Sequence, residues 1–218
     1  TPGAPAGIAD NDILIVVAES SDPTQTISMH ADWTEIVNAI GTGNSRIGVW
    51  WHRYNSATPP TNYTVTRTGT AGDALVAACM AFRGCETSGS PFHKTGAVNG
   101  GTDASMEFTA IETTVANTLA LAIAGAEDDN NVTNLSGWTV AFTEAGPTNN
   151  YETSAGTLDG MISCQYKAYA SPTNITGIVI TQSASDDWST VLLALMVPQG
   201  APPAAAPEGQ LIMILRGR

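Results

Sequence analysis

Positive charge is scarce in this chain. Eight Lys and Arg stand against 20 Asp and Glu in 218 residues, a formal net charge of −12. Binding a phosphate backbone takes clustered Lys and Arg, and here only Lys94, Lys167 and scattered arginines exist, so nucleic acid is not an expected partner. An anionic membrane surface is disfavoured on the same ground, and no apolar run is long enough for a membrane span. The acidic excess reads as solubility and mutual repulsion. Cysteine is rare too: Cys79, Cys85 and Cys164 make neither a disulfide framework nor a CxxC zinc pair. Cys79 and Cys164 fall within expected strands as small apolar residues, and Cys85 follows Arg83-Gly84 as a free thiol in a loop. The histidines are His30, His52 and His93; none has a Ser, His, Asp context and there is no GxSxG elbow, so no enzyme is expected. No signal peptide is legible at Thr1.

The sequence does contain β-pattern. Hydrophobic residues make up 43% and charged ones 13%, which fits a folded domain. After a Pro and Gly lead-in, Ile13 to Ala18 reads as a strand covered on both faces. A short strand follows around Asp32-Trp33-Thr34. Arg46 to Tyr54 alternates, with Ile47, Val49, Trp51 and Arg53 on one face and Gly48, Trp50, His52 and Tyr54 on the other. Asn62 to Thr68 is a strand, and Asp73 to Phe82 an apolar run. Alone, that run could be a helix capped by Asp73. Its echo, Asp187 to Pro198, carries Thr190, Val191 and Val197 and decides for strand.

The echo is part of a series. Asn117 to Ala124 answers Asn11 to Ala18, Trp138-Thr139 answers Trp33-Thr34, Met161 to Tyr169 answers Ile47 to Asn55, and Ile178 to Ile180 answers Thr64 to Thr66. Offsets that grow only at loops imply two diverged repeats, about 8–84 and 115–198. The stretch between them, 83–103, reads as a glycine-rich irregular connection, and Ala104 to Ile111 as an added strand. The expected fold is all-β: an antiparallel, jelly-roll-like β-sandwich of about ten strands filling 1–198. Residues 199–209 form a stiff Pro/Ala-rich linker and 210–218 an extended C-terminal strand. Its Leu211, Ile212, Met213, Ile214 and Leu215, with Arg216 and Arg218, are candidates for contact with another subunit or partner; folding back onto the same domain is the alternative.

Candidate sites are few. One of Trp50 and Trp51 should face outward as a ligand or interface contact. Trp33 and Trp138, equivalent in the two repeats, should share a core role. Glu127, Asp128 and Asp129 supply hard oxygen ligands for Ca²⁺ but lack the EF-hand glycine and distant glutamate, so a solvated loop is the reading and no metal or cofactor is expected.

Several of these residues carry a resemblance. Pro5 to Ile15, Trp33-Thr34, Val49-Trp-Trp-His-Arg-Tyr54, Pro59-Pro60-Thr-Asn-Tyr-Thr64 and Ala81-Phe82-Arg83-Gly84 resemble, in order, a β-sandwich module of tailed-bacteriophage virion proteins. Asp32 replaces the first Gly of that pattern, Asn11 the Gly before Asp12, and Cys85 follows Arg83-Gly84. The resemblance implies a virion structural protein in homo-oligomeric form, a trimer being one candidate. It would sit on the outer surface of the particle after assembly in the host cytoplasm, as a capsid decoration (cement) protein touching the major capsid protein. A glycan-binding tail-fibre or tail-tip module is the alternative. No catalytic residue is implied.

Overall fold

The computed structural model describes residues 2–22, 24–68, 74–128, 130–141, 151–153 (backbone only) and 160–198. The linker 199–209 and the segment 210–218, with Leu211 to Leu215, Arg216 and Arg218, lie outside them, as do Asp73 and Asp129.

Among the described residues the chain is all-β. The first half holds β1 (Ile13–Ser20), β2 (Ile27–Ser28), β3 (Thr34–Ile40), β4 (Arg46–Arg53), β5 (Thr66–Arg67) and β6 (Leu75–Phe82). A middle stretch holds β7 (Phe92–Thr95), β8 (Asn99–Gly101), β9 (Ser105–Glu107) and β10 (Ile111–Glu112). The second half holds β11 (Thr118–Ala126), β12 (Thr139–Val140), β13 (Tyr151–Thr153), β14 (Gly160–Tyr169), β15 (Asn174–Ile175), β16 (Val179–Thr181) and β17 (Trp188–Met196). The excess over ten strands comes from pieces of two to four residues, too short to show a period. Ala104 to Ile111 is thus not one added strand: β9 and β10 pair in different small sheets, with β16 and β15. The helix alternative for the run after Asp73 fails, since Leu75–Phe82 is a strand.

Two large antiparallel sheets dominate, ordered β3-β4-β1-β6 and β12-β14-β11-β17-β7. Apart from β7, β8 and β13, the second repeats the order of the first. Ile13 faces Arg53 and Phe82 across the first sheet, as Leu119 faces Ala168 and Leu195 across the second. Before these strands, Asn11 and Asn117 take the left-handed backbone at φ 70° and 54°. The backbone N–H of Trp33 bonds the carbonyl of His30, and that of Trp138 bonds Leu135.

The main core lies between the sheets. It joins Ile13, Ile15, Val17, Ile47, Val49, Ala78, Met80 and Phe82 to Leu121, Ile123, Ile162, Cys164, Val191, Leu193 and Leu195. Both outer faces are covered as well. Leu14, Val16, Trp50 and Cys79 pack under Ile27 and Val65. Ala120, Ala122, Ala124 and Ala126 pack under Met106, Ile111, Ile175 and Ile180; four alanines in line let those short strands come close. That second cover is why β1 and β11 are apolar without alternation.

The stretch 83–103 is not wholly irregular. β7 and β8 cross to the other half and pair with β17, so glycine-rich backbone closes the edge of the second sheet.

Candidate functional site

Several of the motif residues singled out in the sequence meet each other. Because Ile13 pairs with Phe82, the residues just outside that pair, Asp12 and Arg83, lie side by side. Arg83 donates from Nε to Asp12 Oδ1 at 3.0 Å and from Nη2 to Oδ2 at 2.8 Å, and Oδ2 also accepts the Ala9 N–H. Asp12 is buried while the guanidinium is half exposed, so the fork satisfies a carboxylate that has left water. The second meeting is at Trp33. Its indole N–H bonds the Asn62 carbonyl at 2.9 Å, and its ring lies edge-on to Tyr63 at 5.4 Å. The opening motif is thereby tied to the closing one, and the Trp-Thr motif to the Tyr-Thr motif.

Trp50 and Trp51 point to opposite faces, as the alternation requires, but the outward face is itself covered. Trp50 is 2% exposed, beneath the small β2 and β5 sheet. Trp51 is half-buried against the inter-sheet core, edge-on to Phe92 at 6.1 Å with the Arg53 guanidinium 5.9 Å from its ring centre. Trp33 is buried and Trp138 half-buried, each packed on the outer cluster of its own sheet.

His30 and His52 come together at Asp32. His30 Nδ1 is 3.1 Å from Asp32 Oδ2, and His52 Nδ1 is 2.8 Å from the Asp32 carbonyl. Hydrogen bonds from Thr61, chiefly its backbone N–H, hold the Asp32 carboxyl below its ordinary range. The Thr61 hydroxyl donates to that carboxylate rather than to an imidazole. His93 Nε2 lies 3.2 Å from the Thr114 hydroxyl, but its lone pair already accepts the Thr114 backbone N–H, which makes the contact a loop clamp. A pocket of about 320 Å³ opens at the end of β4, lined by Asp10, Asn11, His52, Arg53, Tyr54, Asn55 and Thr58. Asp10 there accepts the Ser56 N–H at 2.6 Å, which lowers its pKa.

One strongly perturbed group is not visible in the sequence. Glu19, one residue past the expected end of its strand, is fully buried at the seam between the sheets. Ser45 donates to its Oε1 at 3.1 Å while Oε2 has no partner among the described residues. Burial above all, with Glu127 and Asp186 adding repulsion, pushes its pKa well up. It sits where two glycines leave room: a Cβ on Gly125 would meet Glu19 Cγ at 2.6 Å, and one on Gly160 would meet Oε2 at 2.9 Å. Around it the β3–β4 turn grips the second sheet. Gly41 N–H bonds Ser189 Oγ at 3.0 Å, Ser189 Oγ donates to the Ser45 carbonyl at 2.6 Å, and Asn44 N–H bonds Asp187 Oδ2 at 2.9 Å. Asp187, which reads as the start of an apolar run, thus serves as an anchor between the sheets.

Cys85 is a free thiol, as its spacing suggests, but it is 2% exposed and burial pushes its pKa up to about 12. Cys79 and Cys164 are buried and likewise raised. Such thiols are poor nucleophiles. Glu127 and Asp128 lie at the end of β11; among the described residues no three His, Cys, Asp or Glu side chains gather closely enough to hold a metal. No family model, curated protein or solved structure matches the chain.

Proposed function

We propose that this chain is a structural protein of a tailed-bacteriophage virion. In this reading it is a capsid decoration protein that binds other copies of itself and the major capsid protein on the outer surface of the particle. The observation that carries the reading is where the pattern residues go. Asp12 pairs with Arg83, and Trp33 bonds the Asn62 carbonyl and packs edge-on to Tyr63, so these residues tie parts of the fold together, which is the use a structural module has for its most characteristic residues. A surface rich in Thr, Ser and Asn over three layers of apolar packing suits a part that must persist outside the cell. Quantitative mass spectrometry of purified virions tests it. Tens to hundreds of copies per particle are the expected order; absence from virions of a host that expresses the chain contradicts it.

One observation favours the tail-fibre alternative, the polar pocket at the end of β4 with Tyr54 among its lining. Sugars bind where hydroxyl partners surround an aromatic face. Saturable perturbation of the His52, Tyr54 and Asn55 amide signals by host surface polysaccharide would support that reading, and their constancy would remove it.

A further inference from the structure

β6 has the burial of a flanked strand and the pairing of an edge strand. Among the described residues its only strand partner is β1. Yet Val76, Ala77, Ala78, Cys79 and Met80 are all 4% exposed or less. Its counterpart β17 is equally buried, and there β7 and β8 lie along the far edge. The open edge at the other side of the first sheet, β3, shows the contrast: no residue of it is fully buried.

The two sheets say what belongs beside β6. Phe82 and Leu195 occupy matching places, opposite Ile13 and Leu119, so the register sets the shift from β6 to β17 at 113 residues. In the first half the chain leaves β6, crosses over, and pairs Asn99, Gly100 and Gly101 with Thr190, Ser189 and Trp188. Counted 113 residues on, the positions that correspond to Asn99, Gly100 and Gly101 are Ile212, Met213 and Ile214, and those that correspond to Thr190, Ser189 and Trp188 are Ala77, Val76 and Leu75. Two further residues agree. Gly96, where a Cβ would meet the Leu192 carbonyl at 3.1 Å, corresponds to Gly209, and Val98, half-buried on the inter-sheet core, corresponds to Leu211. The apolar run Leu211 to Leu215 therefore corresponds in sequence to β8, and having no polar alternation it suits a slot covered on both faces.

We infer that Leu211–Leu215 pairs with the outer edge of β6 in the same chain, completing the first sheet as β8 completes the second. The chain from Leu195 to Leu211 is as long as that from Phe82 to Val98, which already makes the crossing, so one chain can reach its own β6. The competing cover is the lead-in. Pro2 and Pro5 are buried, and Arg83 Nη2 holds the Gly7 carbonyl at 2.8 Å near the end of β6. Prolines lack the N–H that a ladder requires, so the lead-in can shield that edge but not pair with it regularly. The inference rests on strand register and stands apart from the virion reading.

Residue-resolved amide hydrogen exchange on the full chain tests it. Every second amide of β6 points away from β1. The outward set should be protected to within about tenfold of the inward set. In a full-length Ile212→Asp/Ile214→Asp variant the outward set should exchange about a hundredfold faster while β1 is unchanged. Fast outward amides in the native chain, or no response to the double variant, overturn the inference. Should the variant fail to fold, the native chain still decides. Pairing within one chain leaves outward protection independent of protein concentration, whereas protection that rises with concentration assigns the edge to a second copy and overturns the same-chain assignment.

Discussion

Glu19 shows how a single residue can set the pH response of this fold. Its folded pKa is raised by burial, so the folded chain keeps its proton where the unfolded chain has lost it. Below the ordinary carboxylate range both states are protonated and the group contributes no pH dependence. As pH rises through that range the unfolded chain ionises first, and stability falls until the folded pKa is reached. Glu19→Gln removes this drift, keeping an acceptor for Ser45. The variant should match the parent near pH 4 and exceed it by about 1–3 kcal/mol at pH 7, read as a melting-temperature gap that widens with pH; parallel curves would contradict it. Asp12 is a buried carboxylate that is paired. Arg83→Ala should cost about 2 kcal/mol, less than a fully buried pair because the guanidinium is half exposed. Arg83→Lys should recover under half of that, since an ammonium cannot fork; full recovery in urea denaturation would show that charge alone suffices.

Between elements, the close fit is at Gly125 of β11, which makes room for Glu19 of β1. Gly125→Ala should destabilise by about 1–3 kcal/mol through the clash with Cγ and Cβ of Glu19, and most of that cost should vanish in a Glu19→Gly background, which removes both atoms. Equal costs in both backgrounds, in a double-mutant cycle, would mean the two residues do not share that space. The same elements show what the sequence makes legible. Alternation at Ile47, Val49 and Trp51 against Trp50 predicts which face each takes, because a strand has period two. The matched runs of β1 with β11 and of β6 with β17 are readable for their length. What was not legible depends on cover from far along the chain. Nothing local to Trp50 says that Ile27 and Val65 will lie over it. Nor does Ala18-Glu19-Ser20 announce a strand that carries a carboxyl inside. β8 is hidden because Gly100 and Gly101 carry no side chain from which to read a pattern, and β7 because four residues are too few to show a period, though bare backbone is what lets Gly100 and Gly41 approach.

At the scale of the whole molecule, the acidic excess governs how copies meet. With a formal net charge of −12 each, they repel at low ionic strength. Raising salt from about 10 mM to about 1 M shortens the screening length from about 30 Å to about 3 Å, and self-association followed by light scattering should strengthen. Weakening with salt would mean that opposite charges, not apolar or hydrogen-bonded contacts, hold the copies together. As a virion part, a chain whose characteristic residues tie its own fold together would serve as one of many identical copies on a particle. Electron cryomicroscopy of the purified virion should then show density for this two-sheet sandwich repeated with the capsid lattice on the outer surface. A capsid surface without that density, in a preparation where the chain is present only as free protein, would rule out the decoration role.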